Sequence, residues 1–231
     1  MAFDVYVGPL TKYYRQDWEN VAQRFARENG KTYRIIHAGG EPAPPLPVED
    51  VRAMIEDWRS FLNEQLRSNL KSLLTWSEAD DAPYFTDRPA WEGYTALLLW
   101  TAYTEHPELP KPVRLPESWV EDPAFKLSTS AERQTAAIQI LKPNLWLPAD
   151  FDFIFECPDL TGGTSTIGST AALLTLLQKL RQSSFGNDGV SASDTIDEGQ
   201  DFRSTARFAV DLFLELATKA EQHRLPMILS F

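Results

Sequence analysis

The chain has 231 residues, 43% of them hydrophobic, and its formal net charge is −11. This length and apolar content allow a large buried core and exclude a mostly disordered chain. The negative charge and the lack of a dense Lys or Arg run exclude nucleic acid and anionic membrane as expected partners, while a basic protein or a cationic ligand suits the charge. Solubility alone is an alternative explanation of the acidity.

The N-terminal part predicts strands and a helix in alternation. Phe3 to Val7 alternates as a strand does, and Asp17 to Glu28 has helical spacing that stops at Asn29-Gly30. Tyr33 to His37 is a second strand candidate. We interpret the Pro-rich stretch from Gly39 to Pro47 as a rigid loop, with a polyproline ligand for an SH3-like domain as the alternative.

Two long helices are predicted next. Apolar residues recur at intervals of three and four from Val48 to Leu74, which favours a core helix over a coiled-coil dimer seam. Trp76 to Pro89 is predicted to be an irregular loop. Trp91 to Glu105 is apolar on nearly every side, so we expect this helix deep in the core. Pro107 to Pro123 contains five prolines and predicts an extended loop.

The next stretch opens with a capping-box pattern. Thr129 to Glu132 predicts the start of a helix that runs to about Lys142. Phe151 to Glu156 alternates cleanly and predicts a strand. A Gly-, Ser- and Thr-rich loop should follow, and then a helix from Ser169 to Arg181. Ser183 to Gln200 is polar and acidic, and we expect a mobile loop there.

Phe202 to His223 predicts a long helix, and Met227 to Phe231 predicts a short closing strand. The strands are few and helices of unequal length separate them. This order favours an α+β fold in which about six helices pack on a small antiparallel or mixed sheet, with 1–231 as a single domain. A strand near each extreme of the sequence suggests that the two pair in that sheet.

Gly163 to Thr170 matches the glycine spacing of a phosphate-binding P-loop. Ser169 stands where that motif needs its lysine, so a triphosphate would be poorly neutralised. Gly168, Ser169 and Thr170 could still hold one small anion at a helix start. The alternative is a Gly-rich turn in which Ser169 or Thr170 caps the helix.

The segment from Tyr84 to Tyr94 mixes aromatic and charged side chains. Such a mixture can line a ligand pocket, and two carboxylates can act as acid and base in a hydrolase. The candidate binding residues are Tyr84, Asp87, Trp91, Glu92 and Tyr94. A loop anchored to the core by its rings is the alternative interpretation.

The polar stretch from Ser183 to Gln200 contains three further candidate binding residues, Asp194, Asp197 and Glu198. An EF-hand pattern of alternating oxygen ligands is absent, so we do not expect calcium. If the stretch has a role, contact with a basic partner surface is the simplest one.

No cofactor or metal is expected from the remaining reactive side chains. His37, His106 and His223 are far apart in sequence and do not form a ligand motif. Cys157 lies between acidic neighbours that oppose a thiolate, and we interpret it as a strand-end residue. A single cysteine and the absence of a secretion signal at the first residues predict a cytoplasmic protein.

These observations favour a binding or interaction protein without catalytic activity, one that recognises a basic protein partner. Bacterial immunity proteins that neutralise basic toxins have this general character, as an analogy of class that carries no residue over. The alternative is a small-molecule-binding protein or hydrolase that uses residues 84–94.

Overall fold

The computed structural model describes residues 3–33, 45–130, 135–186 and 201–230. The strands are β1 (Asp4–Val7), β2 (Phe85–Asp87), β3 (Leu145–Leu147), β4 (Phe155–Pro158), β5 (Thr164–Ser169) and β6 (Met227–Ser230). The helices are α1 (Leu10–Arg15), α2 (Val21–Glu28), α3 (Val48–Gln65), α4 (Ala90–Glu105), α5 (Pro123–Thr129), α6 (Ile138–Leu141), α7 (Thr170–Phe185) and α8 (Phe202–His223), with a 3₁₀ turn at Trp119–Glu121.

The six strands form one mixed sheet in the order β2-β1-β6-β3-β5-β4. β3 and β5 are parallel, and the other neighbouring strands are antiparallel. β1 and β6 pair along their whole length, from Asp4 opposite Ser230 to Val7 opposite Met227. The expected α+β class, the mixed sheet and the pairing of the first and last strands are therefore confirmed.

Helices cover both faces of the sheet, because successive side chains along each strand point to opposite sides. In β3, Trp146 packs with α4, α7 and α8, whereas Leu145 and Leu147 pack with α1 and α3. In β6, Met227 and Leu229 share the Trp146 side. The larger apolar core lies on that side. The helix predicted to be deeply buried, α4, is there, and its residues from Gly93 to Tyr103 are all buried.

The bounds of two helices in the structure differ from those predicted from the sequence. The long helix predicted to reach Leu74 stops at Gln65. Asn63 explains the turn, because its side-chain amide donates to Leu74 O at 3.1 Å and accepts from Leu74 N at 2.6 Å. This pair of hydrogen bonds draws the following segment back beside α3. The helix predicted from Asp17 to Glu28 is also shorter, because Asn20 and Gln23 form the capping box that begins α2.

The prediction of a strand at Phe151 to Glu156 is wrong for its first four residues, since β4 begins at Phe155. The rings of Phe151, Phe153 and Phe155 pack together with centroids 5.0 to 6.0 Å apart. Gln139 Nε2 donates to Phe153 O at 2.7 Å, so this backbone bonds a side chain rather than a neighbouring strand. The alternation of Phe151, Phe153 and Phe155 therefore reflects a cluster of packed rings and not a strand over the whole segment.

Some predicted elements fall partly or wholly outside the described residues. They are the strand at Tyr33 to His37, the loop at Gly39 to Pro47, the capping box at Thr129 to Glu132 and the polar stretch at Ser183 to Gln200. Of the capping box, Thr129 is described, and it is the last residue of α5 instead of a helix start. α1, α5, β2, β3 and β5 were not predicted.

Candidate functional site

The five candidate residues between Tyr84 and Tyr94 have different surroundings. Asp87 Oδ1 accepts a hydrogen bond from Arg88 N at 2.8 Å, so this carboxylate bonds the backbone at the end of β2. Tyr94 is buried in the core, with its ring 4.8 Å from that of Phe3. Trp91 and Glu92 are exposed in the first turn of α4. A small-molecule site built on these side chains stays a prediction.

Tyr84 lines a hollow of about 270 Å³ next to the β2 edge of the sheet. Neither Asp87 nor Glu92 lines it. The full lining is Glu19, Arg24, Arg27, Tyr84, Phe85, Thr86 and Lys219. Cations therefore outnumber carboxylates here, the reverse of the predicted acidic pocket.

The cationic side chains that line this hollow form hydrogen bonds with neighbouring groups of the protein. Arg24 Nη1 donates to Thr86 O at 3.2 Å, so α2 covers the outer edge of β2. Arg27 donates to both carboxylate oxygens of Glu19, at 2.9 and 3.0 Å. Lys219 Nζ donates to Glu215 at 2.5 Å. These contacts give the three cations that line the hollow a structural role.

Of the P-loop-like residues, Thr164 to Ser169 form β5 rather than a loop, and Thr170 begins α7. Gly168 is required by close packing, because an added Cβ would lie 2.5 Å from Gln139 Oε1. Ser169 N donates to that same oxygen at 3.0 Å, and Ser169 Oγ accepts from Ala172 N at 3.1 Å as the cap of α7. Thr170 is fully buried. The amide and hydroxyl of Ser169 therefore bond within the protein. Ser169 caps α7 as the alternative interpretation predicted, but the residues before it form a strand and not a Gly-rich turn, and the anion hypothesis gains no support.

A buried carboxylate that the sequence analysis missed lies in the loop after α3. Glu78 is only 8% exposed, and its oxygens accept from Leu10 N at 3.1 Å, Thr11 N at 2.8 Å and Trp76 Nε1 at 2.5 Å. Two of these donors are backbone groups at the start of α1, which lack partners within the helix. Three strong donors explain why this carboxylate is buried, and its role is structural.

The histidines and the cysteine have structural surroundings. His106 is buried at the end of α4 beside Glu108, and the ring of His223 lies 5.1 Å from that of Phe85. Cys157 is buried, and burial raises the pKa of its thiol. His37, Asp194, Asp197 and Glu198 lie outside the described residues. In the described ranges, no group of three His, Cys, Asp or Glu side chains could hold a metal ion.

The outer face of α3 shows a second regular pattern beside the buried stripe. Met54 and Phe61 are 39% and 45% exposed and lie two helical turns apart. Asp50, Asp57 and Glu64 repeat at the same seven-residue interval and are exposed. Residues seven apart lie on one side of a helix, so an apolar row runs beside an acidic row. We call these five residues the α3 face.

The two arginines of α3 turn away from this face. Arg52 Nη2 donates to Glu78 O at 3.2 Å and to Asp80 Oδ1 at 2.8 Å. Arg59 Nη1 donates to Trp76 O at 2.9 Å, and its guanidinium lies 5.0 Å from the Trp76 ring centre. Both cations thus bind the loop on the far side of the helix. They leave the acidic row of the α3 face without an arginine from its own helix.

The helix also carries an indole at the edge of this face. Trp58 is half-buried, and its Nε1 donates to Pro158 O at 3.0 Å, at the end of the edge strand β4. The ring packs against Trp76 with centroids 6.2 Å apart. Trp58 therefore fixes α3 to the sheet and holds the α3 face outward. The apolar repeat from Val48 to Leu74 predicts the buried side of this helix but not the two seven-residue rows, because the buried repeat is the stronger pattern.

No family model matches the chain, and no curated protein or solved structure matches it either. None of the helices in the described part of the chain combines the length and the hydropathy that a bilayer span requires.

Proposed function

We propose that the protein binds a basic protein partner through the α3 face. The observation that carries this proposal is the pair of parallel rows, apolar Met54 and Phe61 beside acidic Asp50, Asp57 and Glu64. Interfaces commonly surround exposed apolar anchors with charges that match the partner. The partner is thus a protein with a basic, partly apolar segment.

The charge of the whole chain supports this choice of partner. A net charge of −11 accelerates encounter with a basic protein and repels acidic ones. Methionine suits such a surface because its flexible thioether adapts to different apolar contacts. The role that fits a cytoplasmic acidic binder is that of an immunity-type inhibitor, which neutralises a basic protein by covering its surface.

The test compares two double charge reversals. D57K/E64K changes the acidic row, and E92K/E117K makes the same change in net charge at exposed residues of α4 and of the loop after it. Each tagged variant and the wild type is used to capture partners from native extract. A basic protein retained by the wild type is then purified, and its affinity for all three is measured by calorimetry.

We expect D57K/E64K to weaken binding at least about tenfold, and raised salt to weaken wild-type binding as well. An apolar pair completes the design: F61S should also weaken binding, whereas L73S, which removes an exposed leucine beyond α3, should not. Equal loss in both charge variants, or a captured partner that is acidic, contradicts the proposal.

A further inference from the structure

A second cleft lies on the opposite side of the sheet from α3, between α4, α6 and α7. Its volume is about 440 Å³, within the range of small-molecule pockets. Its lining is Thr101, Thr104, Glu105, Ala136, Ala137, Ile140, Leu176, Lys179, Leu180 and Ser183. Aliphatic side chains form most of this surface, so the cleft suits a ligand with an apolar body.

Glu105 lines the cleft, and one of its carboxylate oxygens lacks a partner in the described part of the chain. Glu105 Oε2 is buried and, among the residues that the structure describes, has no hydrogen-bond partner. A buried carboxylate oxygen without a donor costs free energy, and native proteins usually satisfy such groups. Lys179 also lines the cleft but is exposed and does not donate to this oxygen. A ligand that carries a hydrogen-bond donor would therefore satisfy the Glu105 carboxylate.

The electrostatics around Glu105 favour a positively charged donor. Glu105 is the last residue of α4, and Ser183 lies in the last turn of α7. The carboxyl ends of two helices thus border the cleft, and each carries partial negative charge. Thr101 Oγ1 donates to Leu97 O and Thr104 Oγ1 donates to Thr101 O, so both hydroxyl protons are already used within α4 and neither hydroxyl supplies the missing donor.

We propose that this cleft binds a small organic ammonium ion with an apolar body. The ammonium pairs with the carboxylate of Glu105, which lines the cleft, and the apolar body lies against Ile140, Leu176 and Leu180. A charge-assisted hydrogen bond supplies the missing partner, and apolar burial adds affinity. The site shares no residue with the α3 face, so it stands independently of the proposed partner binding.

The first test uses phenethylammonium as the probe, with 2-phenylethanol as a neutral match and 3-phenylpropanoate as an anion. Calorimetry or NMR titration of the wild type should give saturable binding of the ammonium, about tenfold tighter than the alcohol, and no binding of the anion. E105Q keeps the side-chain shape but removes the charge, so it should abolish the preference for ammonium over alcohol. E117Q, at an exposed position that does not line the cleft, should keep it.

A second pair of variants guards against a folding defect in E105Q. S183W places a large ring at the edge of the cleft, whereas Q182W adds the same ring at the exposed neighbouring position that does not line it. S183W should abolish phenethylammonium binding and Q182W should retain it, with the same circular dichroism for both. Equal affinity for ammonium and alcohol, unchanged binding in S183W, or no saturable binding by the wild type overturns the proposal.

Discussion

Replacing Glu78 tests whether the buried carboxylate holds α1 against the loop after α3. In E78A, the amides of Leu10 and Thr11 and the indole of Trp76 all lose their acceptor. Each unsatisfied buried donor costs roughly 1–3 kcal/mol, and neighbouring losses do not simply add. We therefore expect E78A to lower the free energy of unfolding by about 4 kcal/mol.

E78Q should have an intermediate effect. Its single carbonyl oxygen can replace Oε1, which accepts from Leu10 N and Trp76 Nε1, but its amide group opposes the donor at Thr11 N. One lost bond predicts a cost of about 2 kcal/mol. The ranking of the wild type, E78Q and E78A follows from the number of donors that each variant leaves without an acceptor.

Urea unfolding followed by tryptophan fluorescence measures these differences, with D81A as a control in the same loop at an exposed position. For a slope of about 2.5 kcal/mol per molar, E78A should lower the midpoint by roughly 1.5 M. D81A should leave it nearly unchanged. A loss below about 1 kcal/mol in E78A would refute the reasoning, because water or another group would then be serving the three donors.

Three further predictions concern β4, β5 and the turn between them. G168A should lower the free energy of unfolding by about 2 kcal/mol in the same urea assay, because the new Cβ meets Gln139 Oε1 at 2.5 Å; a neutral result contradicts the close packing. Partial burial raises the pKa of Asp159, but hydrogen bonds from Thr161, Gly163 and Ser165 outweigh it and hold the pKa below the ordinary 3.8. The stability from this carboxylate is present above pH 3.8 and is lost as the pH falls through the folded-state pKa, so D159N should cost more stability at about pH 7 than at about pH 3, and equal costs would count against these bonds. Cys157 should react with iodoacetamide at least about tenfold more slowly in native protein than in urea, as followed by mass spectrometry, because burial raises its pKa and blocks access; equal rates would disprove the burial.

The sequence predicts best those elements whose pattern follows from burial on one face alone. α8 has the predicted bounds, Phe202 to His223, because a continuous apolar face and clear ends coincide there. β3 was missed since Leu145, Trp146 and Leu147 are all buried, so this central strand lacks the polar alternation of a half-exposed one. β5 was missed because its Ser, Thr and Gly composition is also typical of a loop.

The candidate site was predicted less well for a related reason. Asp87, Trp91 and Glu92 were grouped by closeness in sequence, but the turn after β2 and the start of α4 give them different environments. Neither Glu78 nor Glu105 has a local sequence signal. Glu78 accepts from the amide of Leu10, which is distant in sequence, and the missing partner of Glu105 is visible only in the folded protein. The spacing of residues in the sequence predicts the faces of a helix or strand. It does not predict which distant side chains meet in the folded protein.

The position of β6 between β1 and β3 has a consequence for synthesis of the chain. β1 is made before the other five strands, but one of its two neighbours, β6, begins at Met227, more than two hundred residues later. Until then the strand edges that β6 will join, on β1 and on β3, remain open to pairing with other chains. Joining such distant segments is also slow. Nascent or shortened chains that lack β6 should therefore aggregate, and the cell must shield them during translation or translate them quickly.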